Sequence, residues 1–149
     1  MTRRFVVVVV KVLLIMSIAI SCTRWQSETP LTLEQLFANP GKYNGKTVTL
    51  EAFYFHGWET IVLSERVEPS GYAPGHLVPK GRLIWVESGI PKEIYDALYV
   101  QQMMGPAERI GKLKVKGKFE YGGKYGHVGG FDAQIVPSEV ELLPWSPPK

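Results

Sequence analysis

Apolar and polar side chains alternate strictly along the stretch from Gly111 to Phe119, which reads GKLKVKGKF. Lysines occupy the even positions, and apolar residues occupy most of the odd ones. Successive side chains of a β-strand point to opposite faces, so this period of two predicts a strand with one solvated face and one core face. Gly117 interrupts the apolar set and predicts a bulge or a sharp bend.

Four other segments have strand-like patterns rich in β-branched and aromatic residues. Three precede the lysine strand and one follows it, and their predicted limits are 47–55, 59–65, 82–87 and 132–143. A short turn at His56-Gly57-Trp58 joins the first two strands into a hairpin. Prolines and glycines crowd residues 66–81, which predicts a long loop. Pro137 marks an edge or a break in the last strand.

Two segments have helical patterns. Thr32 and Gln35 have the spacing of a capping box, which predicts a helix of about two turns that stops at Asn39-Pro40-Gly41. Apolar residues at helical spacing follow Pro91 and continue toward Gly105-Pro106, which predicts a second helix of about twelve residues. The predicted order is therefore a short helix, three strands, a helix and two strands.

This order resembles the OB-fold, a five-stranded Greek-key barrel, here with a helix between strands 3 and 4 and a short N-terminal helix. The resemblance extends from Thr47 to Leu143 and rests on element order rather than on a catalytic motif. The lead-in TLEQLFANPGKYNGKTVTLEAF is also similar to that of small OB-like domains in bacterial lipoproteins, where a Tyr-x-Gly-Lys turn precedes the first strand. We therefore expect a mainly β protein with a single OB-like domain over residues 31–149.

Residues 1–21 have the form of a targeting segment. Two arginines precede sixteen mostly apolar residues that only Lys11 interrupts, and this run is shorter than the roughly 20 residues of a spanning helix. The segment ends Ala-Ile-Ser-Cys, which resembles the lipobox of bacterial lipoproteins and implies a lipid on Cys22; its small residues would equally suit ordinary signal peptidase. Cys22 is the only cysteine, so no internal disulfide forms. We expect an extracytoplasmic protein anchored to the membrane through Cys22, with residues 22–30 as a tether.

The charge balance bears on nucleic-acid binding. The chain has 17 basic and 14 acidic side chains, but three of the basic ones lie in the leader, which leaves 14 against 14 in the mature chain. Long-range attraction of phosphate backbones needs a positive excess. The lysine row could still track phosphates or anionic lipid, or it could be a solvated face balanced by glutamates of neighbouring strands. The neutral overall charge of the mature chain favours the interpretation as a balanced, solvated face. The lysine row consists of Lys112, Lys114, Lys116 and Lys118.

Aromatic residues in the predicted loops indicate a ligand site. OB barrels bind ligands across strands 2 and 3, between the loops that join strands 1 to 2 and 4 to 5. Aromatic faces in such a place suit bases, sugars or a peptide. The same residues could instead plug the barrel end and stabilise turns. The candidate residues are His56, Trp58, Trp85, Tyr121, Tyr125 and His127.

No motif predicts a metal, a cofactor or a catalytic centre. The three histidines are far apart in sequence, without ligand spacing, and we expect His76 at the opposite barrel end from His56 and His127. The chain lacks a nucleophile elbow, a P-loop and a zinc-protease motif. The sequence therefore favours a non-enzymatic binding module for an envelope protein or glycan. The alternatives are a nucleic-acid-binding OB domain and, more weakly, a metal-dependent hydrolase.

Overall fold

The computed structural model of the chain describes residues 29–102 and 105–148. The predicted targeting segment, Cys22 and most of the tether therefore lie outside the described residues. Within the described ranges, no helix has the length and apolar character needed to cross a membrane.

Six β-strands form most of the described chain, which confirms the prediction of a mainly β protein. They are β1 (Thr47–His56), β2 (Ile61–Pro69), β3 (Leu77–Val86), β4 (Tyr99–Gln101), β5 (Glu108–Tyr125) and β6 (Phe131–Leu143). The helices are short, namely α1 (Leu33–Ala38), α2 (Pro40–Tyr43) and α3 (Lys92–Asp96), and a 3-10 turn spans His127–Gly129.

All six strands belong to one sheet, in the order β1-β2-β3-β6-β5-β4. Strand β5, which contains the lysine row, also pairs with β1 over ten residue pairs, so the sheet partly closes into a ring. Each pairing is antiparallel except that of β3 with β6, which is parallel at Trp85–Gln134 and Val86–Ile135. Because β5 pairs with β1 on one side and with β6 and β4 on the other, it connects the two halves of the sheet.

The inner face of the sheet holds the main hydrophobic core. Alternate residues of β1 and β5 point inward, as the period of two predicted, and α1 packs Leu33 and Leu36 against them. The buried residues that β1 and β5 contribute are Val48, Leu50, Ala52, Tyr54, Leu113, Val115 and Phe119. The lysines of β5 alternate with these residues and lie on the outer face.

The N-terminal capping box is confirmed. Thr32 Oγ1 accepts a hydrogen bond from the Gln35 amide at 3.1 Å, and the Thr32 amide donates to Gln35 Oε1 at 2.9 Å. The predicted stop at Asn39-Pro40-Gly41 is also confirmed, because α1 ends at Ala38 with Asn39 as its C-cap. The sequence did not predict the second short helix that begins at Pro40. Asn39 Oδ1 accepts from the Lys42 amide at 3.3 Å and caps α2, whose first residue is Pro40. Proline fits this position because its missing N–H would have no helical partner.

The predicted loop at 66–81 is wrong, because β2 continues to Pro69 and β3 begins at Leu77. These strands form a long hairpin with a register shift between Ser64 and Arg66. Across from this shift, Gly81 has φ of +84°, and a Cβ there would overlap the Glu65 side chain. The glycines and prolines therefore mark the bend and the tip of a hairpin rather than a loop.

The helix predicted after Pro91 is much shorter than twelve residues. It spans only Lys92–Asp96, and Tyr99–Gln101 form β4, which pairs with β5 from Glu108 to Ile110. The sheet therefore has six strands rather than five. The turn and helix still pack on the core through apolar residues of this segment, namely Ile90, Ile94, Tyr95 and Leu98.

Of two predictions that concern β5 and its glycines, one is confirmed and one is wrong. The bulge predicted at Gly117 is confirmed by a register shift opposite Pro137, where a Cβ on Gly117 would overlap the Val136 carbonyl. The connection from the lysine strand to the strand predicted at 132–143 was expected to be a loop, but most of it is strand, since β5 continues to Tyr125. Only residues 126–130 connect β5 to β6.

Candidate functional site

A second apolar cluster lies on the outer face of β1, β2, β3 and the start of β5, and it includes the strands where the sequence placed the ligand site. Phe55, Val62, Leu77 and Ile110 form its buried centre. Leu77 belongs to the distal half of the β2–β3 hairpin, so the hairpin folds back over the outer face. Further apolar residues pack around this centre, namely Val67, Leu83, Trp85, Phe131 and Trp145.

Gln101 of β4 fixes the folded-back hairpin. Its side chain is only 5% exposed and pairs with the Leu77 backbone as a neighbouring strand would. The Leu77 amide donates to Gln101 Oε1 at 3.0 Å, and Gln101 Nε2 donates to the Leu77 carbonyl at 2.7 Å. The same Nε2 donates to Glu108 Oε2 at 2.6 Å. These bonds connect the hairpin tip to the start of β5.

His76 makes a second connection between the hairpin tip and β5. Its Nε2 lies 3.0 Å from Glu108 Oε2, and its Nδ1 lies 2.8 Å from Ser70 Oγ. One tautomer satisfies both contacts, with Nε2–H donating to Glu108 and Nδ1 accepting from Ser70. The Ser70 hydroxyl in turn accepts from the Tyr72 amide at 3.1 Å. His76 also lines the same groove as Trp58 of the β1–β2 turn, so its expected place at the opposite barrel end is wrong.

A groove of about 510 Å³ lies between the hairpin tip and the β1–β2 turn. Trp58 is 77% exposed and Tyr72 is 92% exposed, which makes them the most exposed tryptophan or tyrosine side chains in the described ranges. Glu108 offers its carboxylate to the same groove. The lining residues are Trp58, Tyr72, Ala73, His76, Gly105, Pro106 and Glu108.

The Glu108 carboxylate is held by one of its two oxygens. Oε2 is occupied by His76 and Gln101, whereas Oε1 accepts no hydrogen bond from the part of the chain that the structure describes. The side chain is 27% exposed. An oriented carboxylate with one open oxygen is an acceptor for a ligand hydroxyl or ammonium group.

The predicted meeting of two loops is present in the structure. His127, in the connection from β5 to β6, has its Nε2 3.5 Å from Glu59 Oε1 in the β1–β2 turn. Glu59 directly follows Trp58 in sequence. Of the predicted site residues, Trp58 lines the groove. His127 does not line it but contacts Glu59, the residue next to Trp58 in sequence.

His56 packs toward α3 rather than into the groove. Its Nδ1 lies 3.2 Å from the Tyr54 hydroxyl, and its ring meets Tyr95 edge-on at 5.1 Å between centroids. Burial lowers the pKa of the His56 imidazole, and the charge of Arg109 lowers it further. Arg109 itself stacks over the Tyr95 ring at 4.5 Å.

The other predicted aromatics make packing contacts away from the groove. Trp85 lies against Phe131 at 5.4 Å between centroids, beneath the connection that contains Gly126. Tyr121 stacks on Phe119 at 6.4 Å, and its ring also meets that of Phe37 in α1. The Tyr125 ring lies over Gly123, where a Cβ would overlap it. Trp85, Tyr121 and Tyr125 are therefore not among the residues that line the groove with Trp58.

The lysine row forms a ladder of ion pairs on the outer face of β5. The hydrogen bond with Glu120 raises the pKa of Lys118 and lowers that of Glu120. Each lysine therefore has a glutamate close by, as the balanced interpretation expected. The pairs are Lys112–Glu51 at 3.7 Å, Lys114–Glu141 at 3.9 Å, Lys116–Glu139 at 3.2 Å and Lys118–Glu120 at 2.6 Å.

Sequence patterns missed three groove residues, namely Tyr72, His76 and Glu108. Tyr72 lies within SGYAPGH, and a large aromatic residue in a segment of turn formers was a usable signal. His76 and Glu108 had none, because 32 positions separate them in the chain. No group of three or more histidine, cysteine or acidic side chains suited to a metal occurs among the described residues.

Comparison with known proteins finds no matching family model, no matching curated protein and no matching solved structure. The functional argument therefore rests on the geometry of the groove.

Proposed function

We propose that the protein is a non-enzymatic binding module that holds a glycan in the groove between Trp58 and Tyr72. One observation carries the proposal: two highly exposed aromatic rings line the same groove as the open oxygen of Glu108. A sugar ring has an apolar C–H face and hydroxyls at its edge. The aromatic rings would contact the face, and the carboxylate would accept from a hydroxyl.

The hydrogen bonds behind the groove favour this use. His76 and Gln101 hold Glu108 in place before any ligand arrives, and Gln101 also fixes the hairpin that carries Tyr72. A side chain that is already ordered loses little conformational entropy on binding. The groove is therefore preorganised on its polar side.

The fold that we propose for this module is an OB-like barrel. The ring order β1-β2-β3-β6-β5, the return of β5 to β1 and the helix α3 between β3 and β5 support it. In this scheme β5 and β6 are barrel strands 4 and 5, and β4 is an addition. The folded-back hairpin covers the face where OB barrels take ligands. The binding site is therefore displaced to the groove beside the β1–β2 turn.

The cellular place that we propose is an extracytoplasmic membrane face, with a lipid on Cys22. The basic start, the apolar run and the lipobox-like ending of residues 1–22 support this placement. The intact mass of the N-terminal peptide from the membrane fraction tests it. A diacylglyceryl-modified Cys22 is the expected result, and a peptide that still begins at Met1 would contradict it.

The alternatives draw less support from the geometry. A nucleic-acid site on β5 would have to displace glutamates that already neutralise the lysines. A hydrolase built on His56 and His127 would have to detach these side chains from Tyr95 and Glu59, respectively.

Binding of immobilised oligosaccharides tests the glycan proposal, with Trp58→Ala and Tyr72→Ala as variants. Loss of a stacking ring is worth about 1–3 kcal/mol, so each variant should bind roughly 5- to 150-fold more weakly. Tyr121→Ala is the matched control, because Tyr121 packs against Phe37 and Phe119, away from the groove. Unchanged affinity in both groove variants, or no oligosaccharide bound by the wild type, would refute the proposal.

A further inference from the structure

We infer that the groove selects glycans that carry free ammonium groups, an inference that rests on the proposed glycan function. Among the groove-lining residues in the described ranges, Glu108 is the only aspartate, glutamate, lysine or arginine. It stands with two exposed aromatic rings, Trp58 and Tyr72. Aromatic faces with a carboxylate are the combination that attracts an ammonium group, through the ring quadrupole and a charge-assisted hydrogen bond.

No lysine or arginine of the groove lining in the described ranges compensates the charge of Glu108. Its neighbour Arg109 points to the other face of β5, where Nη1 donates to the Tyr95 carbonyl at 3.0 Å. Glu59 directly follows the groove residue Trp58 in sequence and adds a second carboxylate, which is 57% exposed and, among the described residues, forms an ion pair with His127. Among the groove-lining residues, the titratable group that faces Glu108 is His76 on the hairpin tip, 3.0 Å away.

The hydrogen bonds of Glu108 also favour a donor-rich ligand. Oε2 already accepts from His76 and Gln101, so the ligand meets Oε1, which can only accept. An ammonium group offers three donors and a positive charge to this oxygen. A uronic acid or a phosphorylated sugar would instead place a second negative charge beside Glu108 and be disfavoured.

Isothermal titration with two tetrasaccharides that differ only in acetylation tests the inference. The probes are the glucosamine tetramer and the N-acetylglucosamine tetramer, at low salt and about pH 6, where amines are protonated. The wild type should bind the glucosamine tetramer about tenfold or more tightly. Raising the salt concentration should reduce this preference.

Glu108→Gln should abolish the preference, so that both tetramers bind with similar affinity. Glu141→Gln, a change of the same kind on the distant outer face of β6, should leave it intact. Equal binding of both tetramers to the wild type, or tighter binding of the acetylated one, would overturn the inference while leaving the glycan proposal standing. If the wild type binds neither tetramer, the inference is overturned, and binding of the other immobilised oligosaccharides then decides the glycan proposal. The wild-type comparison is independent of how well Glu108→Gln folds.

Discussion

The two outer faces of the sheet differ in what covers them. The outer face of β5 and β6 carries a ladder of lysine–glutamate pairs that lies open to water. The outer face of β1, β2 and β3 is apolar, and the chain covers it with its own hairpin and with Trp145. Alternation specifies the inner face of β1 as well as that of β5. The difference shows that whether an outer face is buried or solvated depends on whether a distant segment of the chain folds over it.

The two faces should also differ in their contribution to stability. Apolar burial contributes about 25 cal/mol for each Å² removed from water, whereas an exposed ion pair contributes about 0–1 kcal/mol. The covered face should therefore be as important to the free energy of unfolding as parts of the inner core, and the charged ladder should be nearly dispensable.

Phe55→Ala should have the largest effect on this comparison. Phe55 is 5% exposed and lies at the centre of the outer cluster with Val62 and Leu77. The truncation should lower the free energy of unfolding by about 3–5 kcal/mol, measured by urea denaturation, because it leaves a cavity under the hairpin. Phe53→Ala is the control on the same strand face, since Phe53 is only half-buried and meets Trp145 at 5.8 Å. Equal and small losses in both variants would show that the hairpin does not cover this face.

Gln101→Ala should have the next largest effect. It leaves the buried amide and carbonyl of Leu77 without their partner and removes a donor from Glu108. The expected loss is about 1–3 kcal/mol, with faster amide hydrogen exchange at Leu77 as the hairpin loosens. Gln102→Ala, at the neighbouring exposed position, should change neither quantity. If the Leu77 amide of Gln101→Ala exchanges as slowly as that of the wild type, packing alone holds the hairpin against the sheet.

The inner face was predictable because its signals are local. The alternation of β1 and β5, the capping box at Thr32 and the bulge at Gly117 each depend on residues a few positions apart. The ladder of ion pairs was also predictable, because glutamates occur on the strands expected to lie beside the lysine strand.

The hairpin and the groove were not predictable because their contacts join distant segments. Glycines and prolines in residues 66–81 looked like a loop, since a register shift and the positive φ of Gly81 break the strand period at the bend. Strand β4 is only three residues long, and its role depends on Gln101 reaching Leu77, 24 positions away. Trp58 could be predicted as a site residue because it lies in a short turn between two predicted strands. Glu108 could not, because only the folded chain brings it into the same groove as Trp58.

Lys114→Ala should have the smallest effect. Its ammonium group lies 3.9 Å from Glu141, and such partly exposed pairs contribute about 0–1 kcal/mol. A double-mutant cycle with Glu141→Ala, measured by urea denaturation, should give a coupling energy in that range, which should shrink further in high salt. Glycan affinity should be unchanged, because neither residue lines the groove. A coupling energy above about 2 kcal/mol would contradict the comparison, since the charged face would then stabilise the sheet as strongly as a buried contact does.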